Sequence, residues 1–156
     1  MDLTTEVQLA GNSKFVGWEL TCFGLPASDA PFSRGSFRQR YRVHREGVPL
    51  FIDGLDVNER NCAALLQGAA ALRGSAVSGF FLAGPFAEPP AETLKEALRS
   101  GASGATTGIS WLGEFALGRY LGASAEEARR QFNRWWQMLR PALLQREACA
   151  PRIWLT

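Results

Sequence analysis

The sequence predicts a mainly β chain with two or three α-helices, the longest near the C-terminus. Three observations carry that prediction. Residues 36–46 alternate apolar and basic side chains with a period of two, the mark of a half-exposed strand. Residues 124–143 set large apolar side chains at helical spacing behind a capping sequence. Strands and helices do not alternate regularly along the chain, which argues against a doubly wound α/β fold. The 156 residues, 46% apolar and 21% charged, fit one domain over residues 1–156 with a core of ordinary composition.

Taken in order, residues 3–9 and 14–23 are rich in β-branched and aromatic types and read as two strands. Gly24 to Gly35, broken by Pro26 and Pro31, reads as a loop. In the strand that follows, Phe37, Gln39, Tyr41 and Val43 face one way, while Arg38, Arg40, Arg42 and His44 face the other. Glu46-Gly47 turns the chain into a hairpin, and Pro49 marks the return as an edge strand or a strand start. Residues 59–73 carry helix-forming Ala and Leu but also Gly68 and no apolar stripe. Residues 75–83 read as a buried strand. Pro89-Pro90 opens a short helix over 91–99, which Gly101 stops. Two strands, 105–112 and 114–121, meet at Gly113. Ser124 with Glu127 forms a capping box for the last helix, where Ala128, Phe132, Trp135, Trp136, Leu139 and Leu143 make the apolar face. Pro141 is expected to end or kink it.

The chemistry-bearing residues are sparse. Three cysteines, Cys22, Cys62 and Cys149, show no metal-ligand spacing and suit a reducing compartment. His44 is the single histidine and sits among arginines, so a nucleophilic triad has little to work with. Cys22, Cys62 and His44 are the weak candidates for a metal role. The run Gly101 to Gly108 lacks the lysine of a phosphate-binding loop and precedes a strand, so it reads as a connection. Glu19, beside Trp18, reads as a solvated strand-face carboxylate, with a buried, hydrogen-bonded one as the alternative. Arg38, Arg40 and Arg42 could dock an acidic partner or polyanion. Nucleic acid is disfavoured, because Phe37 and Tyr41 point away from the arginines and the net charge is only +2. Trp135 and Trp136 read as core, with one of the pair near enough to the edge of the stripe to anchor a partner. The start of the sequence carries no signal-peptide pattern, and no apolar run reaches the roughly 18 residues of a membrane span.

Several segments resemble one family. The tail Cys149-Ala150-Pro151-Arg152-Ile153-Trp154-Leu155-Thr156 is similar to an ending "PRIW-x-T". Met138 to Leu144 resembles "W-x-x-LRP-x-L". Gly17-Trp18-Glu19 with Cys22 and Gly24 resembles "GWE-x-x-C-x-G", and Phe32-Ser33-Arg34-Gly35 resembles the entry to an arginine-rich hairpin. The order and spacing are those of the urease accessory proteins of the UreD (UreH) type. That resemblance implies stacked β-sheets with a helix-like strand arrangement and a cytoplasmic scaffold that is not an enzyme. It also implies partnership with UreF, with the GTPase UreG and with apo-urease, with nickel handled transiently and no tightly bound cofactor. Family members are longer and begin with a glycine-rich "GG-x-x-GGD" segment. The resemblance therefore places this chain as the C-terminal portion of a longer UreD-like domain.

Overall fold

The period-two pattern and the apolar helical stripe both become layers of the fold. A computed structural model describes residues 1–25, 28, 30–102 and 106–155. Strands β1 (Asp2–Leu9) and β2 (Phe15–Cys22) open the chain, as their β-branched and aromatic content predicts. The segment expected to be loop holds two short paired strands, β3 (Gly24–Leu25) and β4 (Ala30–Pro31); Pro26, Ala27 and Asp29 lie outside the described residues. Strands β5 (Phe37–Arg45) and β6 (Val48–Val57) form the expected hairpin. Glu46 and Gly47 take positive φ at its turn. β6 is an edge strand, and the register shifts between Val43 and His44, opposite Pro49, whose missing N–H cannot join a ladder. The 59–73 segment shrinks to α1 (Cys62–Gln67), which Gly68 ends. Then follow β7 (Val77–Gly84), α2 (Glu92–Ser100), β8 (Thr106–Leu112), β9 (Phe115–Gly122) and α3 (Ala125–Leu144). Within the run Gly101 to Gly108, residues 103–105 lie outside the described residues.

The strands form two principal sheets. One has the order β1-β5-β6, with β1 parallel to β5; the other is antiparallel with the order β2-β7-β9-β8. The second sheet is the middle of three layers. Phe80, Leu82 and Phe115 on one face pack against Tyr41, Val43 and Phe51 of the first sheet. Phe81, Ala83 and Ala116 on the other face pack against Phe132, Trp135 and Leu139 of α3. Alternation thus gives β7 two buried faces, which is why its sequence is apolar throughout. A smaller cluster of Phe23, Phe37, Val57, Cys62 and Leu72 forms alongside α1.

Helix α3 carries the apolar stripe as expected, with every stripe residue from Ala128 to Leu143 buried. Half of the capping box forms: the Ser124 hydroxyl accepts the Glu127 amide at 3.3 Å, while the Glu127 carboxylate accepts the Tyr120 hydroxyl at 3.2 Å. Pro141 does not end the helix; the helix runs on to Leu144 and closes at a left-handed Gln145 whose N–H bonds the Pro141 carbonyl. Proline removes one amide from the ladder, and burial of Leu139 and Leu143 holds the last turn against that loss.

Beyond α3 the chain returns across the middle layer. Residues Arg152–Leu155 form a 3₁₀ turn that sets Trp154 between Trp18, at 5.0 Å between ring centroids, and Trp136, at 4.9 Å. Arg140 lies 5.0 Å over the Trp136 ring. Edge-to-face aromatic pairs with a half-buried ring each add about 0.5 kcal/mol to the area they bury, the lower end of the range for such pairs. Trp154→Ala is therefore expected to cost about 2 kcal/mol in urea unfolding, the transfer of a half-buried indole plus these two pairs. An unchanged midpoint would show that the tail does not hold the fold.

Candidate functional site

Between the two main sheets lies a cleft of about 340 Å³, where several polar side chains enter an interface that is otherwise aromatic. Glu19, Gln39, Tyr41, Asp53 and Arg119 are among its walls. Strand alternation explains how Glu19 arrives there. Val16, Trp18 and Leu20 of β2 pack with the helical layer, so Glu19 must face the first sheet.

Glu19 is not the solvated carboxylate that the sequence suggests. The Thr5 hydroxyl of β1 donates to one of its oxygens and the Gln39 side-chain amide of β5 donates to the other. Neither donor is visible from β2, because only the packing of the sheets brings them together. Across the cleft, Arg119 of β9 closes an ion pair on Asp53 of β6, and its guanidinium stacks 5.2 Å from the Phe80 ring centroid. Asp53 also accepts the Gly54 amide at 2.8 Å. The site thus holds two carboxylates, one satisfied by neutral donors and one neutralised by arginine. The sequence reading missed Asp53 and Arg119; their alternation places them inward, but nothing in the sequence pairs them across 66 positions.

Tyr41 sits between Glu19 and the apolar part of the interface. Burial pushes its phenol up from the ordinary range, and the negative charge of Glu19 adds to the shift. A phenol raised in the folded state stabilises the protein in full below its unfolded value of about 10 and loses that contribution as pH rises above it. Unfolding midpoints are therefore expected to fall from pH 10 upward, and Tyr41→Phe to flatten that slope. An identical slope in the variant would remove Tyr41 as the cause.

The remaining candidates do not meet. Cys22 is exposed at the end of β2, Cys62 is buried at the start of α1, and His44 lies half-buried on the outer face of β5. Among the described residues no group of three or more His, Cys, Asp or Glu could hold a metal ion. The surroundings of His44 also differ from expectation. Its Nδ1 lies 3.7 Å from the Glu6 carboxylate, since parallel pairing of β1 with β5 brings acids against the arginine row. Arg38 is likewise engaged, at 2.9 Å from Asp56 and 3.8 Å from Asp2. Its hydrogen bond holds the Asp56 carboxyl below the usual range. Arg40 is exposed and Arg42 half-exposed beside it; Arg34 is exposed just before Gly35, whose φ is +126°. Trp135 and Trp136 are both core residues, 0% and 6% exposed. The Trp136 edge is covered by Trp154 of the chain's own tail.

The sequence profile of the UreD urease accessory protein family matches residues 1–155. The chain belongs to the UreD urease accessory protein family. It is 38% identical to the urease accessory protein UreD of Dechloromonas aromatica, over 99% of this chain and 54% of that protein. It is 36% identical to that of Azoarcus sp. strain BH72, over 99% of this chain and 53% of the relative, and 32% identical to that of Marinomonas sp. strain MWYL1, over 99% and 52%. The chain thus spans about half the length of the curated UreD relatives it matches. The UreD-like motif Gly17-Trp18-Glu19 has a division of labour in space. Trp18 joins the helical layer and the tail, stacked 6.0 Å from Phe81, while Glu19 faces the cleft. An added Cβ at Gly17 would meet the Phe15 ring at 2.4 Å, so glycine leaves that ring its place. Arg152 is exposed on the terminal turn and Trp154 anchors it. No helix of the described residues is long and apolar enough to cross a membrane.

Proposed function

We propose that this chain serves urease maturation as a non-catalytic scaffold in the cytoplasm, binding UreF and the GTPase UreG and assisting nickel insertion into apo-urease. The observation that carries the reading is the family match over residues 1–155. Nickel on this reading is cargo, held briefly and released, rather than a resident cofactor. The cleft supports it in kind. Glu19 and Asp53 offer carboxylate oxygens, weaker donors to nickel than imidazole or thiolate, and both are already satisfied in the resting fold, so a passing ion would be held only briefly. A site with fewer than the several ligands of a tight centre favours release.

The test is association followed by transfer. Purified chain is mixed with UreF and run on size exclusion, then supplied with UreG, GTP, nickel and apo-urease. Co-elution with UreF is expected, and Glu19→Ala is expected to keep that association while nickel delivered to urease falls about tenfold, the usual cost of losing one group that orients a metal. A folded chain that fails to bind UreF would overturn the scaffold reading. A Glu19→Ala variant with undiminished delivery would leave the scaffold and remove the cleft from it.

A further inference from the structure

The outer face of the β1-β5-β6 sheet reads in rows fixed by the register. Asp2, Arg38 and Asp56 make the first row, Thr4, Arg40 and Gly54 the second, and Glu6, Arg42 and Ile52 the third. The first row is closed, because both carboxylates turn to Arg38. In the third row the Glu6 carboxylate turns away from Arg42, accepting the Gln8 amide at 2.8 Å and lying against His44. Among the described residues neither Arg40 nor Arg42 forms an ion pair. Gly54 puts no side chain beside Arg40, which leaves a groove of about 480 Å³ along the arginines.

That groove is continuous with a second. Ile52, 65% exposed, borders the basic groove and also an apolar one of about 440 Å³ formed with Leu50, Leu112 and Phe115 at the end of the sheets, with the exposed Glu114 at its rim on the side away from the arginines' strand. Leu112 is 56% exposed. Large aliphatic side chains this exposed, adjoining unpaired arginines, make the composition of a protein interface: apolar anchors with guanidinium groups at the margin.

We propose that this face docks an acidic amphipathic helix of a protein partner, its carboxylates on Arg40 and Arg42 and its apolar stripe on Ile52 and Leu112. Charge complementarity and the shared Ile52 select that occupant. Arginine's planar fork takes a carboxylate through two parallel hydrogen bonds. Nucleic acid fits less well. Arg38 is already neutralised, Glu6 lies beside Arg42, and the exposed apolar side chains are aliphatic, with no ring on which a base could stack. The proposal does not depend on nickel passing through the cleft, which lies on the opposite face of this sheet.

The probe is a synthetic helical peptide with leucine on one face and glutamate on the other, labelled for fluorescence anisotropy. A leucine–lysine peptide of the same spacing is the control. The leucine–glutamate peptide is expected to bind and to weaken as salt rises. Arg40→Glu and Ile52→Ser are each expected to weaken it about tenfold, the loss of one hot-spot contact. Arg130→Gln, on α3 in the far layer and already held by Glu126, is expected to leave it unchanged. Each substituted side chain is substantially exposed, so circular dichroism should show an intact fold in all three variants. Equal binding of the lysine peptide, or full affinity in both Arg40→Glu and Ile52→Ser, would overturn the proposal. So would double-stranded DNA that binds more tightly than the peptide and displaces it, since the face would then read polyanions.

Discussion

Trp135→Ala is expected to lower the stability of the chain by about 4 kcal/mol, read as a fall in the urea midpoint at unchanged slope. Trp135 is wholly buried where three elements meet. Its ring lies 5.5 Å from Phe132 and 5.8 Å from Phe81, and its Nε1–H donates to the Leu98 carbonyl of α2 at 3.2 Å. Alanine removes the packing and leaves a cavity that the aromatic neighbours cannot fill. It also strips the Leu98 carbonyl of its donor. The two losses can be separated. Trp135→Phe restores most of the volume but not the N–H, and its cost should be about 1–2 kcal/mol, that of an unpaired buried acceptor. Because small domains are stable by only about 5–15 kcal/mol, the alanine variant loses a large share of the total. A cost below about 1 kcal/mol would show that α3 is not clamped to the sheet at this point.

How much of this was legible in the sequence depended on whether a property was local. The β5 alternation, the β5–β6 hairpin and the α3 stripe rest on neighbours within a few positions, and each forms as written. The double burial of β7 was legible as an uninterrupted apolar run. What could not be read was set by pairing between distant segments. Arg38, Arg40 and Arg42 look like a uniform basic stripe until β1 lies parallel to β5 and delivers Asp2 and Glu6 to the same face. Glu19 looks solvated until the sheets stack and Thr5 and Gln39 reach it. The helix does not end at Pro141 for a similar reason. A local rule about proline lost to the tertiary burial of Leu143, two residues on. The candidate cleft is thus the least legible part of the molecule, since its walls come from β2, β5, β6, β7 and β9 and from the turn at residues 70–72. The family motif did mark one wall, since Trp18 and Glu19 point to opposite faces of one strand.

Gly118→Val is expected to destabilise by about 3 kcal/mol, and the same substitution at Gly108 to be neutral or slightly stabilising. The two glycines belong to adjacent strands, β9 and β8, yet they face different surroundings. A Cβ at Gly118 would stand 2.3 Å from Trp135 Cζ3, 2.7 Å from its Cε3 and 3.1 Å from Phe81 Cβ. The indole cannot retreat, because Leu98, Phe81 and Phe132 hold it on its other sides. At Gly108 an added Cβ meets nothing within 4 Å, and a β-branched residue suits an edge strand. Strand propensity alone predicts a gain at both positions, so the contrast isolates packing from propensity. The double variant Gly118→Ala with Trp135→Leu sharpens the point. If the clash is the cause, the two changes should compensate, with a coupling of at least about 1 kcal/mol in a double-mutant cycle. Strict additivity would mean that Gly118 is required for some reason other than the space it leaves to Trp135.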